Sequence, residues 1–255
     1  MTSLRTFTAI LWRDVFATGR ELPSFLAQVI IQPFFILFIF AKVLGDIGYV
    51  QDDFAAVLLP GIVAMNGFLG ALQNTTLPLV LDFSWTREIE DRLLAPIPIP
   101  LVAVEKMVFG AVRGLLAAVL MIPIGFVMLD VSWPVSGLPA ALLVTVLGSL
   151  AGAAVGMVIG TSVSPRHITV MFAVILTPLL FTGSAQFPWP ALDGLRWFQV
   201  LCALNPLTYV SEGMRAVLVP DVPHMPLWVC LVVLVASVLG FGALGIRGFL
   251  RRALD

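Results

Sequence analysis

Three observations predict an all-α integral membrane protein with six transmembrane helices. Hydrophobic residues make up 60% of the 255-residue chain and charged residues 11%, against roughly 45 to 50% and about 25% in soluble domains. Six apolar stretches each reach the roughly 20 residues that a membrane helix needs. Lysine and arginine are concentrated on alternate connections between those stretches. The spans leave no window for a soluble domain, so 1–255 reads as one membrane domain: 1–23 interfacial, 24–246 the spans, 247–255 a cytoplasmic tail.

Residues 2 to 20 place Leu4, Phe7, Ile10, Leu11, Val15 and Phe16 at helical spacing, which predicts an amphipathic interfacial helix lying on the membrane surface. Pro23 ends it. No small-residue cleavage pattern follows the first apolar stretch, unlike a signal peptide. The spans are expected at about 24 to 43, 54 to 80, 102 to 129, 138 to 163, 168 to 185 and 226 to 246. With the N-terminus inside, ten cations are cytoplasmic: Arg5, Arg13, Arg20, Arg87, Arg92, Lys106, Arg166, Arg247, Arg251 and Arg252. Three are outside, Lys42, Arg196 and Arg215. Ten against three places both termini in the cytoplasm, across a bacterial-type inner membrane.

The first span carries Gln28 and Gln32 four residues apart on one face, with Phe34, Phe35, Phe38 and Phe40 beyond them. The phenylalanines suit an apolar or amphipathic cargo, and equally a lipid-facing surface. In the second span Asn66, Gln73 and Asn74 need partners, because polar groups in hydrocarbon are costly. They are candidates for a substrate path or for hydrogen-bonded glue between helices. Arg113, in the third span, is expected to snorkel to the inner interface or to meet a buried partner such as Glu105. Gly148, Gly152, Gly156 and Gly160 line one face of the fourth span; a close helix can pack there, within the subunit in the favoured reading or across a dimer seam in the other.

Between spans two and three lies the densest charge in the chain, Arg87, Glu88, Glu90, Asp91 and Arg92 with Ile89 and Leu93 as an apolar stripe. Thr86 can cap a helix there, acidic residues suit its first turns, and Glu88 and Arg92 pair four apart. Pro96, Pro98 and Pro100 stop that helix and hold its exit extended. The last outer connection, Gln186 to Met225, is apolar but breaks at Asn205 and Pro206 into pieces too short to cross. It predicts two re-entrant half-helices, the second carrying Glu212 and Arg215.

The search for catalytic chemistry is negative. The lysines, Lys42 and Lys106, follow Ala41 and Glu105, so no phosphate-binding Gly-x-x-x-x-Gly-Lys loop exists. His167 and His224 stand apart, and Cys202 and Cys230 have no metal-ligand spacing. A net charge of -1 points to no nucleic-acid partner. A stand-alone secondary transporter is the alternative, but no interrupted pair of helices with buried carboxylates offers it an ion site. A membrane-embedded enzyme lacks a converging catalytic set.

Three stretches resemble a known family. Arg87-Glu-Ile-Glu-Asp-Arg-Leu-Leu-Ala-Pro-Ile-Pro is similar to the charged inner loop of the permeases of type 2 ABC exporters, which carry drugs, lipids or polysaccharides. Pro178-Leu-Leu-Phe-Thr-Gly-Ser with Phe187-Pro188, and Asn205-Pro-Leu-Thr-Tyr-Val-Ser-Glu-Gly-Met-Arg, resemble that family's later signatures. The resemblance implies a coupling helix at Arg87 to Leu94 seated in an ATPase groove, with Glu88, Glu90, Asp91 and Arg92 as polar contacts. It implies two ATPase subunits, which bind ATP and Mg, and a second permease, same or homologous. It also implies that the first and fifth spans meet at the permease seam. This chain itself is expected to need no cofactor.

Overall fold

In the computed structural model, the described residues are 8, 11–12, 22–49, 54–84, 98–129 and 131–254, and among them every regular element is helical. The charged segment carrying Arg87, Glu88, Glu90, Asp91, Arg92 and Leu93 lies outside them, as does most of the expected interfacial helix.

The first span is α1 (Leu22–Leu37), which continues through a π-helical turn at Phe38–Val43 and a last turn at Leu44–Asp46. Then come α2 (Phe54–Ser84), α3 (Ile99–Leu129) and α4 (Leu138–Ser162). The fifth span is assembled from α5 (Ile168–Met171), a π turn at Phe172–Leu176 and α6 (Thr177–Thr182). Two short helices follow, α7 (Arg196–Ala203) and α8 (Pro206–Leu218), and the sixth span is α9 (Leu227–Leu254). Five of the six expected spans are helices long and apolar enough to cross a membrane, whereas the fifth has only the short apolar stretch Phe172–Thr182. The apolar run to 185 overstated it, because the helix stops at Thr182 and Ser184 has a positive φ of 49° that no helix can contain.

The second span is the centre pole. Within its apolar window 78% is buried by the rest of the protein, against 24%, 28% and 28% for the first, third and sixth spans. It packs on α3, α4 and α8, and Leu58, Leu59, Ile62, Val63, Phe68 and Leu72 are fully enclosed. The peripheral spans instead expose Ile31, Phe35, Leu116, Val119, Leu142, Val232 and Leu239. A surface that apolar is a liability in water and is covered by lipid in a bilayer.

The glycine face of α4 is where α2 comes closest. A Cβ at Gly152 would run into the backbone carbonyl of Phe68, one at Gly156 into that of Leu72, and one at Gly148 into the Val210 side chain. The glycines therefore pack within the subunit, as the favoured sequence reading had it. We expect Gly152→Val to destabilise the fold by at least the ~1 to 3 kcal/mol of an overpacked core, since backbone cannot yield as a side chain can. Gly240→Ala on α9, where nothing lies within 4 Å of the added carbon, should leave stability unchanged or raised. Thermal denaturation of the purified pair, followed by loss of the monodisperse peak, separates the two outcomes.

Candidate functional site

The break at Asn205 and Pro206 starts α8 with its own cap: the Asn205 Oδ1 accepts from the Leu207 amide at 2.9 Å, and Pro206 takes a first-turn position that needs no N–H donor. From there a polar stripe runs up one face at spacings of three, three and four. Asn205 Nδ2 donates to the Leu179 carbonyl at 2.8 Å and to Thr182 Oγ1 at 3.0 Å. Thr208 donates to the Thr182 carbonyl, Ser211 to the Gly183 carbonyl and Arg215 to the Ala185 carbonyl, at 3.1, 3.0 and 2.7 Å. The end of α6 leaves carbonyls that its own helix cannot satisfy. The stripe of α8 reaches two of them, Leu179 and Thr182, and then the carbonyls of Gly183 and Ala185 just beyond the helix, while the Thr208 hydroxyl is shared with the Cys202 carbonyl at 2.6 Å.

The stripe ends in a sealed hub. Arg215 and Glu212 are both 0% exposed and pair at 2.8 Å. The remaining donors of the guanidinium reach the carbonyls of Val57 at 3.2 Å and Ala185 at 2.7 Å. Glu212 accepts from the Trp189 amide and, with its other oxygen, from the Met225 amide, both at 2.9 Å. Gly61 passes beside the Ala185 carbonyl and the guanidinium where no side chain would fit. Arg215, counted in the sequence with cations of an outer connection, thus serves as an internal cross-brace of α2, α8 and the link after α6, and its partner Glu212 extends the brace to the approach to α9. Cys202 and Cys230 are buried and free.

A second feature lies between the first, second and fifth spans. A cavity of about 630 Å³ is lined by Gln32, Gln73 and Gln186, with Phe35, Phe40, Phe172 and Phe181 among its apolar walls. Both π turns contribute to it, Phe40 from the first span and Phe172 and Leu176 from the fifth. An extra residue in a turn re-aims the side chains there, and such turns cluster at functional sites. A smaller pocket of about 70 Å³ adjoins it, sharing Gln32 and Gln73 and adding Asn66 and Asn74. The Asn66 amide donates to the carbonyls of Val29 at 3.0 Å and Ala117 at 2.8 Å, tying α2 to α1 and α3, while Asn74 donates back to Gly70 at 2.7 Å. Of the four described amides, Asn66 bonds neighbouring helices, Asn74 bonds back within α2, and Gln32 and Gln73 line the larger cavity. The side chain of Gln28 lies outside the described set.

The third feature is at the opposite end from the hub, where the charged segment leaves α2 and enters α3. Lys106, counted as a loop cation, is buried and pairs with buried Asp82 at 3.0 Å. Arg252 donates to the carbonyls of Gly160 and Val163, both at 3.0 Å, and lies over the Phe83 ring at 4.9 Å. Phe83 also meets Phe249 edge-on at 5.3 Å. These contacts fasten the ends of the second, third, fourth and sixth spans to one another. Arg113 is half-buried, with its guanidinium 4.8 Å from the Phe25 ring centre and 5.8 Å from that of Phe109. A cation on aromatic faces was not among the arrangements the sequence suggested.

Gln186, Asp82 and Arg252 were missed by sequence reasoning. Asp82 and Lys106 did carry a signal, as opposite charges at the two ends of spans joined by one connection. Gln186 carried none.

A family model described as ABC-2 type transporter matches residues 5–219. The inner membrane transport permease YadH of Escherichia coli (strain K12) is 29% identical over 212 residues, which cover 80% of this chain and 79% of that one. Nodulation protein J of Sinorhizobium fredii is 28% identical over 164 residues, 64% of this chain and 61% of its own length.

Proposed function

This chain belongs to the ABC-2 type transporter family, and on that premise we propose that it is the permease subunit of an ATP-driven exporter. Two such permeases, identical or homologous, form a path for an amphipathic or hydrophobic cargo such as a drug, a lipid or a glycolipid. Two separate ATPase subunits bind ATP and Mg and supply the work. The segment of Arg87, Glu88, Glu90, Asp91, Arg92 and Leu93 docks into them. With Lys106 and Arg215 paired inside the bundle, the remaining nine inner against two outer cations support cytoplasmic termini in a bacterial-type inner membrane.

The observation that carries this reading is the cavity shared by the first, second and fifth spans. It joins aromatic walls to the amides of Gln32 and Gln73, as a path for a partly polar cargo requires. The fastened span ends support the coupling role: Asp82 and Lys106 flank the charged segment in sequence and pair with each other, so a push on the connection between them would reach several spans together. Co-expression with the cognate ATPase should yield a complex that survives purification and moves a lipophilic probe out of vesicles only with ATP. A permease that purifies alone and moves the probe down an ion gradient would overturn the reading.

A further inference from the structure

Resting on that reading of the cavity, we propose that the cargo is an uncharged amphiphile, an apolar body carrying neutral hydrogen-bonding groups such as hydroxyls or amides. Three primary amides from separate parts of the chain meet at this one cavity, Gln32 on α1, Gln73 on α2 and Gln186 just beyond α6. An amide both donates and accepts, so it fits a hydroxyl or another amide without regard to charge. None of the described residues lining the cavity is ionisable.

The nearby charges are directed elsewhere. Lys42, on the same span, faces a separate groove with Phe34, Phe38 and Val127, and its ammonium pairs with Asp46 at 3.1 Å. Glu212 and Arg215 neutralise each other in the sealed hub. A cation or anion entering the cavity would lose water without meeting a counter-charge among the described lining residues, a cost of several kcal/mol in apolar surroundings. A neutral hydroxyl finds partners instead. The phenylalanine faces and the amide oxygens attract cations only weakly, since phenylalanine ranks below tryptophan for that interaction and the amides are neutral dipoles.

A photoactivatable dodecyl glycoside, added to the permease in nanodiscs, tests this without the ATPase. Mass spectrometry should place its crosslinks on peptides that include Gln32, Gln73 or Gln186. Three unlabelled competitors share the same tail: dodecyl maltoside, dodecyltrimethylammonium and dodecyl sulfate. The neutral one should displace the probe at concentrations at least about tenfold lower than either charged one, the factor that ~1.4 kcal/mol produces. Gln73→Glu should reverse the order in favour of the cation. Gln32→Glu, on a different span, supplies the same reversal should the first variant fail to insert. Equal or better displacement by the cation in the parent protein, or crosslinks confined to other surfaces, overturns the proposal. The outcome is separable from the exporter reading, since the site can prefer neutral probes in a protein that proves not to be ATP-driven, and an ATP-driven exporter can prefer cations.

Discussion

Reversing two charges, Glu88→Lys with Asp91→Lys, should abolish transport while leaving the permease inserted and folded. Both acidic residues sit in the first turns of the helix that the sequence predicts between α2 and α3, where they also complement its positive end. In the proposed complex they face the ATPase, and juxtaposing like charges across an interface costs several kcal/mol. Loss of ~1.4 kcal/mol already weakens association tenfold, so at least a tenfold fall in transport is expected. Either the ATPase is lost from the purified complex, or it remains and hydrolyses ATP without moving cargo. Membrane abundance should match the parent, because neither side chain belongs to a span. Normal transport by the double variant would remove this segment from the mechanism.

The second large effect is expected at Arg215. Arg215→Ala leaves Glu212 as an unpaired charge and strips the carbonyls of Val57 and Ala185 of their donor. Removing one partner of a buried ion pair costs ~3 to 5 kcal/mol, much of the ~5 to 15 kcal/mol that holds a typical protein folded. The variant should be scarce in the membrane and should lose its monodisperse peak at a lower temperature. Many buried ion pairs are replaced by apolar residues at little cost. This one should resist that exchange. Glu212→Leu with Arg215→Met would restore charge balance but leave the Trp189 and Met225 amides without acceptors. A double variant as stable as the parent would reduce the hub to a simple pair.

What could be read from the sequence follows the range of each interaction. The spans are runs of local hydrophobicity, the cap of α8 lies two residues from the amide it serves, and the glycine face repeats every fourth position. Each is a pattern within one element. The hub is different: Glu212 and Arg215 are visibly one turn apart, but nothing near them in the chain identifies Val57, 158 positions away, as an acceptor. The shortness of the fifth span was hidden because Gly183, Ser184 and Ala185 are small, uncharged residues that a membrane helix could contain, while the backbone turns at Ser184. The polar residues of the second span looked alike in sequence. The structure shows Asn66 bonding two neighbouring spans and Gln73 lining the cavity.

The hub also has a place in the order of assembly. Its acceptors at Val57 and Ala185 are synthesised before Arg215, while the Met225 amide belongs to the approach to the final span. The Arg215 bonds can therefore form before the last helix arrives, and only the Met225 donor to Glu212 waits on the approach to it. Until then a carboxylate of the half-built bundle lacks one of its donors.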